Sequence, residues 1–162
     1  VLVKDKKRNN LIIKVISEEV KKNNYCLIIS DRVEHCNVMY NLLKENYPGA
    51  KCAVLTGNLS KSKRDEIVSL VNSENLNAVF ATSKLAEEGL DWKILNRLFI
   101  TCPSRSKRKI QQAVGRIQRP CKGKIDAIVY DFVDFKVGVL ESQYRSRYFG
   151  VYEPMSFMDY DE

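Results

Sequence analysis

The sequence contains a single histidine, and its five cysteines include no Cys-x-x-Cys pair. Structural zinc sites are built from closely spaced cysteine and histidine ligands, so we expect no metal site in this chain. With one histidine there is also no Ser-His-Asp arrangement to propose for nucleophilic catalysis. The cysteines are widely spaced and several lie in apolar runs, where we expect reduced, buried thiols.

Glycine-rich loops that bind phosphate are missing as well. Neither G-x-x-x-x-G-K-[ST] nor a G-x-G-x-x-G that follows a strand occurs, and the segment GNLSKSK at 57–63 has lysines without the glycine pattern. Such loops let backbone amides approach phosphates closely. Their absence argues against a dinucleotide, nucleotide-sugar or flavin enzyme and leaves the chain without a phosphate loop of its own.

Long apolar runs are also absent. Spanning a membrane takes roughly 20 consecutive apolar residues, no run approaches that length, and the first residues lack a signal-peptide pattern. We therefore expect a cytoplasmic protein without a membrane partner. The first residue is Val1 rather than methionine, which we interpret as a sign that the chain is cut from a longer protein and that a functional site can be divided between its parts.

Positive charge is abundant and unevenly distributed. The chain has 27 lysines and arginines against 20 acidic residues, a net charge of +7, and no acid lies in the densely basic stretch between Arg97 and Lys124. The last residues, 153–162, are acidic instead. A basic block beside apolar strands favours nucleic acid or nucleotide phosphates as partners over a membrane surface.

Short apolar runs alternate with amphipathic segments along most of the chain. The runs that we predict to be strands are YCLIIS (25–30), CAVLTG (52–57), NAVFAT (77–82), RLFITCPS (97–104) and IDAIVYDFVD (125–134). The segments that we predict to be helical lie at about 10–23, 33–46, 60–72, 83–91 (helical or irregular), 111–120 and after 137. This order predicts an α/β domain in three layers, with a mainly parallel sheet, right-handed crossovers and helices on both faces.

We place the domain at residues 9–150, after a linker at 1–8 and before an acidic, aromatic tail at 151–162. Aromatic side chains near the C-terminus could stack on nucleic-acid bases, but we favour docking on the core of the domain or on a missing neighbour. These residues are Tyr144, Tyr148, Phe149, Tyr152, Phe157 and Tyr160.

The predicted helix QQAVGRIQRP at 111–120 carries an unusual set of side chains. Gln112, Arg116 and Arg119 are spaced i, i+4 and i+7, so they project from one face. Gly115 among them would let another group approach the backbone, and the proline that follows ends the helix at its last arginine. Two guanidiniums and an amide without an acid suit an anion such as phosphate. Taken alone, the pattern also fits a solvated basic face.

The pattern Gln-x-x-Gly-Arg-x-x-Arg at 112–119 resembles motif VI of superfamily 2 helicases and translocases. Three other signatures of that family occur in the expected order: LIISDR at 27–32 resembles motif IV, LTG at 55–57 the short element after it, and TSKLAEEGLD at 82–91 motif V. Each lies at the end of a predicted strand, where open parallel sheets bind their ligands. The resemblance covers nearly the whole chain and implies the second, C-terminal RecA-like lobe of a DEAD/DEAH-type motor.

Two departures indicate a branch of this family. Gln112 stands where DEAD-box RNA helicases carry histidine, and Thr82 and Gly89 are separated by one residue more than in the DEAD-box form. Together with the ending SRYFGVY at 146–152, they resemble the DNA-directed restriction, repair and phage-type translocases. The resemblance therefore implies DNA as the nucleic-acid partner, with RNA as the alternative.

By this resemblance, ATP and Mg²⁺ are held mainly by an N-terminal RecA-like lobe of the same polypeptide, which carries the phosphate loop. This chain alone is then expected to hydrolyse ATP negligibly. The implied catalytic residues are Arg119, Arg116 and Gln112: Arg119 is the arginine finger, Arg116 lies beside it, and Gln112 lies at the lobe interface. The implied ATP-binding positions are Gly89, Asp91 and Gly115. The alternative for Asp91 is a structural role in which its side chain caps the loop.

The nucleic-acid strand in this family crosses the carboxyl ends of the strands of both lobes. Small hydroxyls and loop amides there suit a sequence-independent grip on phosphates. The matching positions are Ser30, Arg32, Thr56, Gly57 and Thr82, and we add Ser104 and Arg105 from their place after the fourth predicted strand. The alternative for Arg32 is a surface ion pair with a neighbouring acidic residue. The competing function is an α/β scaffold or binding domain that recruits nucleic acid without ATP.

Overall fold

Strands and helices alternate along the chain, as the sequence predicts. A computed structural model describes residues 2–102, 106–134 and 136–157. In these ranges the strands are β1 (Cys26–Ile29), β2 (Cys52–Leu55), β3 (Ala78–Ala81), β4 (Arg97–Ile100) and β5 (Ile128–Asp131). The helices are α1 (Lys6–Lys21), α2 (Val33–Asn46), α3 (Lys61–Asn72), α4 (Ser83–Gly89), α5 (Lys107–Ile117) and α6 (Gly138–Arg147), with a 3-10 helix at Leu2–Lys4 and a π-helix at Tyr148–Tyr152. None of the helices in these ranges is long and apolar enough to cross a membrane.

The strands form a parallel sheet in the order β2-β3-β1-β4-β5. β1 is central, because Cys26 lies opposite Ala78 of β3 on one side and Arg97 of β4 on the other. β1 and β3 are buried along their whole length, which explains why both occur in the sequence as continuous apolar runs. The predicted parallel sheet is confirmed, whereas the order of its strands comes from the structure.

Two cores pack against the sheet, one on each face. Leu27 of β1 belongs to the core that α4 and α5 cover, and the next residue, Ile28, belongs to the core that α1 and α2 cover. Neighbouring residues of a strand point to opposite faces of a sheet, so the two helical layers enclose it. The three-layer α/β architecture is confirmed.

The first helix begins earlier than its apolar spacing indicates. α1 begins at Lys6, and the Asp5 side chain accepts a hydrogen bond from the Arg8 amide over 3.1 Å. The guanidinium of Arg8 pairs with Asp134 over 3.2 Å, and Arg8 is 8% exposed. Residues 2–8 of the segment expected to be a linker therefore contribute helical structure and packing. A polar side chain caps the N-terminus of this helix. The spacing of apolar residues does not reveal such a cap.

The chain stays packed on the core beyond residue 150, where we expected the domain to end. Val151 is 1% exposed and Tyr152 is 5% exposed. The Tyr152 hydroxyl donates to the Asp131 carboxylate over 2.5 Å, and the buried Arg147 guanidinium pairs with the same carboxylate over 2.7 Å. Burial, followed by the Asp131 charge, raises the pKa of Tyr152 well above its usual range, so the hydroxyl remains a donor.

Aromatic side chains of the C-terminal region dock on the domain, as we favoured from the sequence. Tyr144, Tyr148 and Phe157 are partly buried against the core that α4 and α5 cover. Phe149 is an exception, because it is 65% exposed. Tyr160 lies outside the described residues.

Candidate functional site

The basic helix of the sequence is α5, and it begins and ends earlier than the pattern indicates. Ser106 caps it by accepting a hydrogen bond from the Lys109 amide over 3.4 Å, and the helix ends at Ile117. Arg116 therefore lies in the last turn, whereas Arg119 lies beyond the helix, because the proline that follows disfavours helical geometry there. The buried face of α5 consists of Ile110, Ala113, Val114 and Ile117.

α4 carries the segment that resembles motif V, and it has only 7 residues. Extended residues flank it, Thr82 before the helix and Leu90 after it. Leu85 and Ala86 are buried in the same core as α5. Because a helix this short is not stable by itself in water, packing against α5 determines its position.

Asp91 and Arg119 meet where the two segments end. Arg119 Nη1 lies 2.8 Å from Asp91 Oδ1, and the two side chains are 41% and 67% exposed. An exposed ion pair of this kind contributes at most roughly 1 kcal/mol. The Nε of Arg119 has no hydrogen-bond partner among the described residues. The guanidinium is therefore not saturated by contacts within the described parts of the chain.

Arg116 is held by main-chain carbonyl groups. Its Nη1 donates to the carbonyl oxygens of Ala86 and Leu90, the latter over 2.5 Å, and its Nη2 donates to that of Glu87. These groups lie at the C-terminal end of α4, where a helix leaves its carbonyls without intrahelical partners. Burial, followed by the nearby Arg119 charge, lowers the pKa of Arg116. Arg116 thus caps α4 in this structure, and the catalytic role that the resemblance implies for it stays a prediction.

Gln112 and Gly115 lie on α5 between its cap and the two arginines. Gln112 is exposed. A Cβ at Gly115 would meet Met155 Cε at 3.7 Å, an ordinary van der Waals distance. Packing against the described residues does not demand glycine at this position, which leaves room for another group to approach the backbone.

The five described residues that we expect to contact nucleic acid lie at the carboxyl edge of the sheet but differ in exposure. Ser30, Thr56 and Thr82 directly follow β1, β2 and β3, and Arg32 and Gly57 are exposed. Ser30 is 2% exposed and Thr56 is 3% exposed, whereas Thr82 is half-buried. The hydroxyls of Ser30 and Thr56 are too buried to contact nucleic acid directly. Ser104 and Arg105 lie outside the described residues.

Ser30 belongs to a buried network around the histidine of the chain. The Nε2 of His35 lies 3.0 Å from Asn9 Oδ1, and its Nδ1 lies 3.0 Å from Ser30 Oγ. The Asn9 amide nitrogen donates to a main-chain carbonyl, so its oxygen accepts from His35 Nε2, and Nδ1 then accepts from the Ser30 hydroxyl. Burial, followed by the Arg8 charge, lowers the pKa of His35 to about 4. The imidazole is therefore neutral at pH 7.

Side-chain contacts that no sequence signal indicates join the ends of three strands. Ser83 Oγ donates to Asp31 Oδ1 over 2.7 Å, although the two residues are 52 positions apart. Cys102, just after β4, has its Sγ 3.3 Å from Ser30 Oγ and 3.4 Å from His35 Nδ1. The strand order β3-β1-β4 brings these residues together, and local patterns carry no information about that order.

A family model describes the same segments. The helicase conserved C-terminal domain matches residues 7–121, which include the first four strands, α4, α5 and the pair of Asp91 with Arg119. The chain belongs to this family. It is the C-terminal RecA-like lobe of a superfamily 2 helicase.

Relatives of this helicase lobe are named for both kinds of nucleic acid. A protein of Acanthamoeba polyphaga mimivirus whose name describes an ATP-dependent RNA helicase is 29% identical over 143 residues, which cover 88% of this chain and 26% of the relative. The ATP-dependent DNA helicase uvsW of Enterobacteria phage T4 is 23% identical over 128 residues, which cover 79% of this chain and 25% of the relative. The helicase lobe therefore spans about a quarter of the length of these relatives.

A solved structure shows the fold of this helicase lobe. Domain 2 of the DEAD-box helicase Mss116p, solved bound to an RNA duplex, matches with a TM-score of 0.73 and 14% identity. The match covers 88% of this chain and 54% of that one. At this identity the likeness concerns the fold alone, which is RecA-like.

Proposed function

We propose that this lobe is the second motor lobe of an ATP-dependent helicase or translocase and that Arg119 is its arginine finger. The observation that carries the proposal is the 2.8 Å contact between Arg119 and Asp91. It joins two segments that are 28 residues apart in the chain and that both resemble signatures for the use of ATP. A solvated basic face would not need a specific partner in the other segment.

The surroundings of Arg119 fit an anionic ligand. The side chain is 41% exposed, so the outer part of the guanidinium is open to a ligand, whereas its Nε is buried and has no hydrogen bond within the described ranges. A guanidinium binds phosphate oxygens through parallel N–H groups and neutralises charge that develops during phosphoryl transfer. In this proposal Arg119 binds the terminal phosphate of ATP held by the partner lobe. Asp91 binds the ribose, while Gly89, Gly115 and Gln112 lie against the nucleotide or the partner lobe, which also holds Mg²⁺.

Nucleic acid is proposed to cross the carboxyl edge of the sheet. Arg32, Gly57 and Thr82 reach the surface there, and the net charge of +7 adds a general attraction to phosphates. Because the Ser30 and Thr56 hydroxyls are buried, these residues support the binding loops through their main chain. Ser104 and Arg105 stay candidates from their position in the sequence. We propose DNA rather than RNA on the basis of the glutamine at 112 and the spacing between Thr82 and Gly89.

Arg119→Ala tests the finger in the protein that joins this lobe to its ATP-binding lobe. We expect the rate constant of ATP hydrolysis to fall by about 10³- to 10⁵-fold, because the charge on the transferred group loses its partner. Phosphate release measures the rate, and fluorescence anisotropy with single-stranded DNA should show unchanged binding. Arg145→Ala is a matched control, since it removes an exposed arginine that pairs with Glu141 on α6.

Two results would contradict the proposal. ATP hydrolysis that survives Arg119→Ala would mean that another residue is the finger. Robust hydrolysis by this chain alone would mean that it is not the second half of a divided site, because it has no phosphate loop.

The basic stretch between Arg97 and Lys124 also supports a second candidate, a domain that recruits nucleic acid without ATP. That function predicts salt-dependent binding that does not respond to nucleotide. Anisotropy of labelled DNA with and without a non-hydrolysable ATP analogue separates the two functions in the two-lobe protein. A change of affinity on addition of the analogue supports the motor, because its lobes close on the nucleotide.

A further inference from the structure

A groove separates the start of α5 from α6. The residues that line it include Lys107, Gly138, Val139, Ser142, Gln143 and Ser146. We infer that this groove, together with Phe149 beside it, binds a single nucleic-acid strand: Lys107 and the two serine hydroxyls contact phosphates, and Phe149 stacks on a base. The inference rests on the proposed function, because it continues the nucleic-acid path across the carboxyl edge of the sheet.

The groove lies at the carboxyl edge, beyond the strands that carry the expected contacts. α5 follows β4 and α6 follows β5, so both helices begin at that edge. The far end of α6 also lies there, because Arg147 pairs with Asp131, the last residue of β5, over 2.7 Å. Neighbouring strands lie about 4.8 Å apart. A nucleic acid that crosses the ends of β3 and β1 therefore reaches the groove within about 10 Å.

The charge of the groove suits phosphate. Lys107 is exposed, as are Arg108 and Lys109 in the same turn of α5, and none of the described residues that line the groove is acidic. Glu141, the acidic residue of α6, does not line the groove and pairs with Arg145 over 2.8 Å. A lysine in such surroundings attracts the phosphates of a nucleic acid.

Gly150 gives the stem of Lys107 its place beside α6. A Cβ at this position would meet Lys107 Cδ at 3.2 Å and Nζ at 3.3 Å, which is tighter than an ordinary contact. Without a side chain there, the lysine lies against the main chain next to Phe149. The cation and the aromatic ring thus belong to one surface, although they are 42 positions apart in the chain.

One exposed face of the C-terminal helical region carries the other contacts. Ser142, Ser146 and Phe149 are spaced i, i+4 and i+7, so they project from the same face, and all three are exposed. Hydroxyl groups donate to phosphate oxygens. The Phe149 ring meets the Tyr148 ring edge-on, with centroids 5.2 Å apart, yet it remains 65% exposed. Its position is supported while much of its surface stays available to a base.

Apolar exposure is concentrated around this groove. Five large apolar side chains are exposed in the described ranges, and three of them lie at the groove or next to it: Val137, Val139 and Phe149. Concentrated apolar exposure marks a binding surface. An aromatic ring beside a lysine, with no acid in the lining, favours a nucleic-acid strand as the occupant, because such proteins combine stacking with attraction of the phosphates.

Binding of a labelled oligothymidylate of about 16 nucleotides to this chain, without ATP, tests the stacking. In Phe149→Ala, the Kd from fluorescence anisotropy should rise about five- to a hundredfold, because one base loses its stacking partner. Phe149→Leu keeps an apolar side chain without the flat ring, so it should weaken binding as well and serves if the alanine variant does not fold. Leu11→Ala on α1 is the matched control, since Leu11 is 58% exposed, and it should leave the Kd unchanged.

The salt dependence of the Kd tests the phosphate contact. Loss of one contact with a single strand should reduce the slope of log Kd against log salt concentration by about 0.7. Lys107→Gln should show this reduction and Lys107→Arg should restore the slope. Lys14→Gln removes the same charge from an exposed position of α1 and should leave the slope unchanged.

The results separate this inference from the proposed path at β1–β3. An unchanged Kd in both Phe149 variants, or an unchanged slope in Lys107→Gln, would overturn the inference. If Arg32→Ala weakens binding while those variants do not, only the extension fails. A wild-type chain that does not bind the oligonucleotide at low salt would refute the whole path. Unchanged DNA binding with self-association lost in Phe149→Ala, measured by analytical ultracentrifugation, would assign the surface to a second copy of the chain and overturn the inference as well.

Discussion

At the scale of single residues, surroundings decide what a polar side chain can do. Ser30 follows a buried strand, as Thr82 does, and both match positions of the proposed nucleic-acid path. Ser30 is nevertheless 2% exposed and donates to His35, while Thr82 is half-buried. The difference arises because α1 and α2 bring Asn9 and His35 over the end of β1. A hydroxyl with a buried acceptor is satisfied within the fold and is not free for a ligand.

We predict that the fold loses stability when pH falls below the ordinary range of histidine, because His35 is buried in its neutral form. Its pKa is lowered from 6.5 to about 4 in the folded chain, so between these values the unfolded chain binds a proton that the folded chain does not. The contribution of His35 to the free energy of unfolding is therefore present above pH 6.5 and is lost as the pH falls toward 4. At pH 5.5 the loss is roughly 1 kcal/mol, measurable by urea unfolding at pH 7.5 and 5.5.

His35→Gln is the control for this prediction. The chain has no second histidine, so the variant should lose most of the difference between the two pH values even if it is less stable at both. Equal unfolding free energies of the wild type at pH 7.5 and 5.5 would contradict the buried neutral imidazole.

At the scale of elements, the two helices that lead into the site, α4 and α5, depend on each other for their positions. α4 has 7 residues and depends on the core that it shares with α5, and Arg116 adds hydrogen bonds to the carbonyl groups at its C-terminal end. The pair of Asp91 and Arg119 follows from this packing, since each residue lies just beyond the end of its helix. A change in either helix should therefore affect both halves of the proposed ATP site.

The start of α1 provides a prediction at the same scale. Asp5→Ala should lower the free energy of unfolding by about 1 kcal/mol, because the Arg8 amide loses its acceptor. Chemical denaturation measures the change. Asp65→Ala on α3 is a matched control, as Asp65 is exposed and does not cap a helix. If residues 1–8 behaved as a linker, the two substitutions would have equally small effects.

At the scale of the whole molecule, the C-terminal region completes the domain. Tyr152 and Arg147 share the Asp131 carboxylate at the end of β5, and Val151 lies in the core with α5. The domain therefore extends past the sequence boundary at 150 to include at least the π-helix.

Truncation tests this boundary. A chain that ends at Arg147 should be less stable than one that ends at Phe157 by roughly 3 to 6 kcal/mol, because it exposes the sites of two large buried side chains. Thermal unfolding measures the difference, and increased binding of a hydrophobic dye would report the opened core. Equal melting temperatures of the two chains would mean that the residues after Arg147 add no stability, and would support a domain boundary at 150.

Much of the fold could be predicted from local patterns. Strands such as β1 and β3 are apolar throughout because both of their faces are buried, and turn and cap residues between them are local signals. The same patterns missed the Asp5 cap, which is polar, and extended α5 to Arg119 although it ends at Ile117. The boundaries at 1–8 and 151–162 depended on composition, which does not show what a segment packs against.

By itself, the sequence determined the alternation of strands and helices, the parallel sheet and the presence of two separated segments that resemble the ATP-binding signatures of a helicase lobe. These features follow from residue type and spacing within short stretches. Only the tertiary structure decided that Arg119 pairs with Asp91, that Arg116 caps α4 and that the Ser30 hydroxyl is buried. Each of these contacts except the last joins residues more than twenty positions apart, and all of them depend on how helices pack on a sheet of order β2-β3-β1-β4-β5.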